Sequence, residues 1–190
     1  MRIISGTHRG RILADCSRLN DLRPTTDRNR ESLFNILNSS KILKEIDFDL
    51  GNSDLLDLFC GSGAVSFEAL SRGVKSATLI DNNSKHLQIA KQNAEMLKEN
   101  NISFFQSDLS KPLFSTGKEY NFIFIDPPYS KNLIDKTLDN LITANWIKNG
   151  ALIVIEHAKE ELIKLGEHFK LLDQRQYGIS IFTFLHFLKK

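Results

Sequence analysis

An α/β fold built on a mostly parallel sheet is what the sequence predicts, on three observations. From residue 54 onward, short apolar runs alternate with segments of helical periodicity, the pattern of strands joined by helical crossovers. One run, Asn121 to Ile125 (NFIFI), is aromatic and β-branched almost throughout, as a strand buried on both faces must be. Aspartates recur where these runs stop, and the carboxyl ends of strands are where open α/β sheets hold their ligands.

The elements follow in order. Residues 1–22 read as a short β-hairpin or extended arm, turning at Gly6 and Gly10, with Ile3, Ile4, Ile12 and Leu13 as apolar contacts. Pro24 introduces a helix, Thr25, Thr26 and Asp27 offer capping oxygens, and Leu33, Phe34, Ile36 and Leu37 form its buried stripe until Asn38-Ser39-Ser40. Residues 41–53 read as a linker with a turn at Gly51-Asn52. The alternating part begins with a strand at 54–60, a Gly61-Ser62-Gly63 turn and a helix at 64–71 ended by Gly73. A strand at 76–80 stops on Asp81, a helix spans 83–99 with Leu87, Ala90, Ala94 and Leu97 on one face, and a strand at 102–105 precedes Asp108. The 121–125 strand is the fourth. A helix at 134–146, a strand at 150–156 and a short helix at 159–165 follow, then two strands within 168–188 meeting near Tyr177-Gly178. The organisation expected is an arginine-rich arm and helix over 1–50 and an α/β domain over 51–190.

With 190 residues, 41% hydrophobic and 25% charged, the chain is sized for one substantial core plus a small appendage. No apolar run approaches the roughly 20 residues that span a bilayer, and the N-terminus has no secretory h-region, so a cytoplasmic protein without a membrane partner is expected. Cys16 and Cys60 are too far apart to suggest a metal site. Net charge is +2, yet seven of nine arginines lie in the first 30 residues, which carry +4 while the remaining 160 carry −2. Arginine's planar fork suits phosphates and base stacking, so this segment points to nucleic acid, with Arg9, Arg11, Arg23, Arg28 and Arg30 as the contacts and Arg2 and Arg18 behind them. The alternative is that they pair with Asp15, Asp21, Asp27 or Glu31 and pin the arm to the core.

Two motifs carry the chemistry. The 121–125 strand stops on Asp126-Pro127-Pro128-Tyr129, because two prolines cannot continue a ladder and Pro128 drives Pro127 toward an extended conformation. Such a rigid turn suits a ring-conjugated amine, whose delocalised lone pair makes it a poor nucleophile. The Asp126 carboxylate and the Pro127 carbonyl could each accept one N–H, while Tyr129 stacks on the base. Upstream, LLDLFCGSG closes a strand and opens a helix, the context of a nucleotide-binding glycine loop. Gly61 permits the tight turn and Gly63 a close approach to a ligand. Asp81, twenty residues after Gly61, is placed for ribose hydroxyls, Asp108 for an adenine amine, and Asp57 for orienting the loop. Ser66 replaces the third glycine of the dinucleotide fingerprint and no phosphate-binding lysine is present, which favours a ligand with ribose and adenine but no phosphate. S-adenosylmethionine is such a ligand.

On these motifs the sequence resembles the Rossmann-like class I S-adenosylmethionine-dependent methyltransferases. More narrowly, it resembles the RsmD family of enzymes that methylate N2 of one guanine in 16S ribosomal RNA. The narrower resemblance rests on MRIISGTHRGRIL, RPTTDRNRESLFNIL, LLDLFCGSGAVSFEALSRG and FIFIDPPY; Cys60 and Asn29 are departures that remove no functional group. It implies a seven-stranded sheet with an antiparallel last strand. It implies cofactor contacts at Asp57, Phe59, Gly61, Ser62, Gly63, Asp81 and Asp108, and catalysis at Asp126, Pro127, Pro128 and Tyr129. The implied partner is 16S rRNA within the small ribosomal subunit or its assembly intermediate, met by a monomer that uses no metal. A DNA or RNA adenine-N6 methyltransferase, a non-catalytic RNA-binding assembly factor and, more distantly, a nicotinamide oxidoreductase are the alternatives.

Overall fold

The computed structural model describes residues 1–14, 27–39, 41–115, 117–128 and 133–190. Twelve elements are used below: α1 (Asp27–Ser39), α2 (Lys41–Glu45), β1 (Asp54–Leu58), α3 (Ala64–Ser71), β2 (Ser76–Asp81), α4 (Ser84–Leu97), β3 (Ile102–Gln106), β4 (Tyr120–Ile125), α5 (Leu133–Thr143), β5 (Ile147–Ala158), β6 (Phe169–Tyr177) and β7 (Ser180–Phe187). They form one seven-stranded sheet in the order β3-β2-β1-β4-β5-β7-β6. β7 is antiparallel to both its neighbours, so it alone runs against the rest. The expected architecture is therefore present.

Alternation along the strands sorts the core into two layers. Leu55, Leu79, Phe122, Phe124 and Val154 meet α3 and α4 on one face; Leu56, Leu58, Ile123, Ile125 and Ile153 meet Ile134, Leu138 and Leu141 of α5 on the other. Both faces are covered, which is why the central strands read as unbroken apolar runs.

Three elements differ from expectation. The presumed linker at 41–53 contains α2 and a one-turn helix at Leu50–Asn52, capped by the Asp49 carboxylate, which accepts the Gly51 N–H at 2.9 Å. Leu43 is buried there and Ile46, Phe48 and Leu50 pack on the core, but their spacing matches no single period. No helix forms at 159–165, where Leu162 is 88% exposed and has no apolar face to join. β5 starts earlier than predicted, at Ile147, and Gly150, at a φ of 82°, lies in the stretch where the pairing with β4 shifts register.

The N-terminal arm turns back on itself through Ile3 N–H to the Arg11 carbonyl and Gly10 N–H to the Ile3 carbonyl, each 2.9 Å. It docks on α3. The Glu68 carboxylate accepts Ile4 N–H at 2.7 Å and Ser5 N–H at 3.0 Å. Gly6, at φ 83°, lies so close to α3 that a Cβ there would stand 1.8 Å from the Ser71 carbonyl oxygen. Asn93 of α4 then links arm to loop: it accepts the Ala14 N–H and donates to the carbonyls of Ala14 and Ser62, at 2.9, 2.9 and 3.1 Å.

Candidate active site

β1 ends at Leu58 and the chain makes a tight loop with Phe59, Gly61 and Gly63 all in the left-handed region, at φ of 61°, 55° and 78°. Gly63 then caps α3. A Cβ on Gly63 would lie 2.8 Å from both the Leu79 and Phe67 side chains, so the protein's own packing and the positive φ favour glycine there. Ser62 is buried in the same loop, and its carbonyl is the one held by Asn93.

Asp81, at the end of β2, is the hub of the loop. Its Oδ2 accepts the Gly61 N–H at 2.9 Å, and its Oδ1 accepts the Asn83 N–H at 2.8 Å and faces His86 Nδ1 at 3.2 Å. Asp57 lies beneath the loop in β1, 2% exposed, and accepts the Ser66 hydroxyl at 2.6 Å. Burial pushes its carboxyl up to about 7, against the Ser66 hydrogen bonds and with the Asp81 charge adding to the rise. Asp108 is more open. Its Oδ1 accepts both the N–H and the hydroxyl of Ser110, and these bonds, with Lys111 beside them, hold it below the usual carboxylate range. Asp57, Asp81 and Asp108 thus stand at or just past the ends of three adjacent strands.

The Asp57 environment has a measurable consequence. A carboxyl raised in the folded state binds its proton more tightly there than in the unfolded chain. Stability from this group is therefore fully present below about pH 4 and falls as pH rises toward 7, by on the order of a few kcal/mol. Asp57→Asn removes the titration. Its melting temperature relative to the parent should climb between pH 4.5 and 7.5, at about 2–4 °C per kcal/mol. A pH-independent difference between the two melting curves would contradict the raised carboxyl.

The Asp126-Pro127-Pro128 turn lies on the strand next to the loop. β4 pairs with β1 through Ile125 and Leu58, and the Asp126 N–H reaches the Leu58 carbonyl at 3.3 Å. Asp126 thus emerges beside the loop's origin, where the strand order departs in opposite directions from β1 and β4. That crevice is the topological switch point, where open α/β sheets hold ligands. Asp126 and Pro128 are partly exposed and Pro127 is buried. Tyr129 lies outside the described residues, as do Arg23, Arg18 and Cys16.

The predicted arginines divide. Arg9, Arg11 and Arg28 are exposed, and among the described residues Arg9 and Arg11 pair with no acid. Arg30 is a correction to the set expected to touch nucleic acid: it is 0% exposed, bonds Asp27 at 2.9 Å and the Arg2 carbonyl, and lies 3.7 Å from Glu68. An amphipathic helix of 13 residues turns one face to the core, and Arg30 falls on that face with Leu33, Phe34 and Leu37. Sequence reasoning also passed over Ser66 as Asp57's partner, His86 as Asp81's, and Glu156. Glu156 follows the Ile155–Ile125 pair on β5, level with Asp126, and is 3% exposed. The motif itself could have marked Ser66, nine residues after Asp57; the others depend on register and helix facing.

Among the described residues, no group of His, Cys, Asp and Glu could hold a metal ion, and no helix is long and apolar enough to cross a membrane.

The reversed strand between β5 and β6 sets this sheet apart from the all-parallel dinucleotide folds and places the protein among the Rossmann-like methyltransferases. A solved structure described as the putative methyltransferase yhhF from Escherichia coli superposes with a TM-score of 0.83 at 32% identity, covering 100% of this chain and 99% of that one. A putative methylase from Haemophilus influenzae gives a TM-score of 0.78 at 29% identity, over 100% and 99% of the two chains. More narrowly, the chain belongs to the family described as Conserved hypothetical protein 95, the RsmD family, whose model matches residues 1–186. Similar in sequence is a ribosomal RNA small subunit methyltransferase D from Buchnera aphidicola subsp. Acyrthosiphon pisum, 36% identical over 174 residues, or 91% of this chain and 86% of the relative. The protein of the same description from Escherichia coli K12 is 37% identical over 160 residues, 84% and 76% of the two chains.

Proposed function

We propose that this protein transfers a methyl group from S-adenosylmethionine to the exocyclic N2 of a guanine in small-subunit (16S) ribosomal RNA. The observation that carries the proposal is the adjacency of two half-sites on neighbouring strands: the Asp81-held glycine loop after β1 and the Asp-Pro-Pro turn after β4. The names of the relatives support the RNA substrate.

The donor set fits the cofactor. Asp81 suits the ribose, Asp108 the adenine amine, and the loop from Phe59 to Gly63 the remainder; no lysine or phosphate cradle stands in the way. When bound, S-adenosylmethionine supplies an electrophilic methyl group on a sulfonium. The chain's own contribution is at the acceptor. Asp126 and the Pro127 carbonyl accept the two N–H bonds of the amine and turn its lone pair out of the ring plane, and the carboxylate stabilises positive charge growing on nitrogen. Tyr129 stacks on the base. The proton leaves the nitrogen after attack, so no general base need be in place beforehand.

Holding a guanine out of its stack costs a few kcal/mol, and one stacking side chain returns about 1–3 kcal/mol. The rest is assigned to backbone contacts from Arg9, Arg11 and Arg28 on the docked arm and α1, and to Arg23, which lies outside the described residues. Replacing Arg9 and Arg11 together by alanine should weaken RNA binding and lower the salt slope by roughly one unit per lost phosphate contact. Cofactor affinity and melting temperature should hold. Unchanged RNA affinity and slope with a lower melting temperature would assign both side chains to pinning the arm.

The reading as a whole is tested by incubating the protein with radiolabelled S-adenosylmethionine and small subunits, naked rRNA or DNA, then digesting and identifying the labelled nucleoside. N2-methylguanosine is expected. N6-methyladenosine would instead assign an adenine methyltransferase, and no label with retained RNA binding would assign an assembly factor.

A further inference from the structure

Asp81 does more in this fold than wait at a strand end, and the way it is held has a direction. Its carboxylate offers about four acceptor positions. Three are engaged: Gly61 N–H on Oδ2, and Asn83 N–H with His86 on Oδ1. The engagement is lopsided, two on one oxygen and one on the other.

The His86 proton follows from its neighbours. Asn83 caps α4, and its side-chain oxygen accepts the Lys85 N–H at 3.0 Å. That commitment turns the Asn83 amide nitrogen toward His86 Nε2, 3.1 Å away. An amide nitrogen only donates, so Nε2 must accept, and Nδ1 must carry the hydrogen that bonds Asp81 Oδ1. His86 is 5% exposed, so water does not offer a competing partner. Asp81, Asn83 and His86 close a ring, in which Asn83 bonds Asp81 through its backbone N–H and His86 through its side-chain amide.

We propose that His86 is a positioning residue for the cofactor: through its Nδ1–H it saturates Oδ1 of Asp81, fixes the plane of the carboxylate, and leaves Oδ2 as the oxygen presented to a ribose hydroxyl. This rests on the reading of Asp81 as the ribose partner. It goes beyond that reading in naming a residue that touches no ligand, and in assigning the ribose contact to one oxygen. That oxygen also accepts the Gly61 N–H, which leaves it one free acceptor position for the ribose.

The test uses the full chain and two ligands in calorimetry: S-adenosylhomocysteine, which carries both ribose hydroxyls, and its 2′,3′-dideoxy analogue, which carries neither. His86→Leu should bind S-adenosylhomocysteine roughly tenfold more weakly, the scale of one hydrogen bond to a charged group. The dideoxy analogue should lose much less. His86→Asn, whose amide can place a donor where Nδ1 stood, should recover most of the affinity. Equal losses for the two ligands, or no recovery by asparagine, would reduce His86 to a packing residue and overturn the proposal. Should the leucine variant fail to fold, the imidazole 15N spectrum of the parent decides instead: a hydrogen on Nδ1 is expected, and a hydrogen on Nε2 overturns it. A parent protein that does not bind S-adenosylhomocysteine defeats the cofactor reading itself. A parent that binds it, with His86→Leu binding equally well, defeats only the role of His86.

Discussion

Asp126→Ala should lower single-turnover methylation by on the order of 100-fold or more while leaving S-adenosylhomocysteine affinity within about twofold of the parent. The asymmetry follows from where Asp126 stands. Its backbone N–H continues the β1–β4 pairing at 3.3 Å from the Leu58 carbonyl, so the alanine variant keeps the turn in place. What it loses is an acceptor whose bond strengthens as the amine gains positive charge, an effect confined to the transition state. The proposed cofactor half, Asp81 and the glycine loop, lies on the other side of the β1–β4 seam. Asp126→Asn should fall between, because the amide keeps an acceptor oxygen without the charge. Normal turnover by the alanine variant would mean that the amine is activated elsewhere.

Glu68→Ala should cost about 3–5 kcal/mol of stability, the range for removing one partner of a buried ion pair. At about 2–4 °C per kcal/mol for a chain of this size, the melting temperature should fall by on the order of 10 °C. Glu68 is 0% exposed and serves several donors: Ile4 N–H, Ser5 N–H and Arg72 Nε at 2.7 Å, with the Arg30 guanidinium 3.7 Å away. Among the described residues, Nε and Nη1 of Arg30 have no hydrogen-bond partner, so without Glu68 a buried cation loses compensating charge as well. Damage should concentrate in the arm. Amide exchange at Ile4 and Ser5 should accelerate, and RNA affinity should drop because Arg9 and Arg11 no longer stand on a fixed base. Glu68→Gln should destabilise less, since it keeps an acceptor for one donor. A melting temperature within 1–2 °C of the parent in the alanine variant would show that the burial of Ile3 and Leu13, with the Asn93 and Ser71 contacts, holds the arm without Glu68.

Glu68 also shows why this network escaped a reading of the linear chain. In SFEAL it is one acid in a helix, and helical acids usually face water. Arg30 is the same case from the other side. Its arginine-rich neighbourhood pointed outward to nucleic acid, but a helix presents each residue by its angle, and Arg30 falls on the inward face. The partner that makes such burial tolerable lies 38 positions away and meets it only when α1 and α3 pack. The helix expected at 159–165 and the linker at 41–53 erred for a related reason. Both are short, and short segments take their conformation from what they pack against rather than from local preference.

By itself the sequence determined the architecture and the placement of the residues from which the two proposed half-sites are built. Apolar runs of strand length alternating with amphipathic helices leave few folds open, and Gly61, Asp81 and Asp126-Pro127-Pro128 stand at or just past the ends of strands whose limits the pattern marks. Only the tertiary structure decided the partnerships: Ser66 under Asp57, His86 and Asn83 around Asp81, Glu68 between arm and helices, and Glu156 level with Asp126. The physical reason is range. Periodicity and turn chemistry are set by neighbours a few residues apart, whereas a buried charge or a shared carboxylate is settled by strand register and helix rotation, which no local pattern encodes.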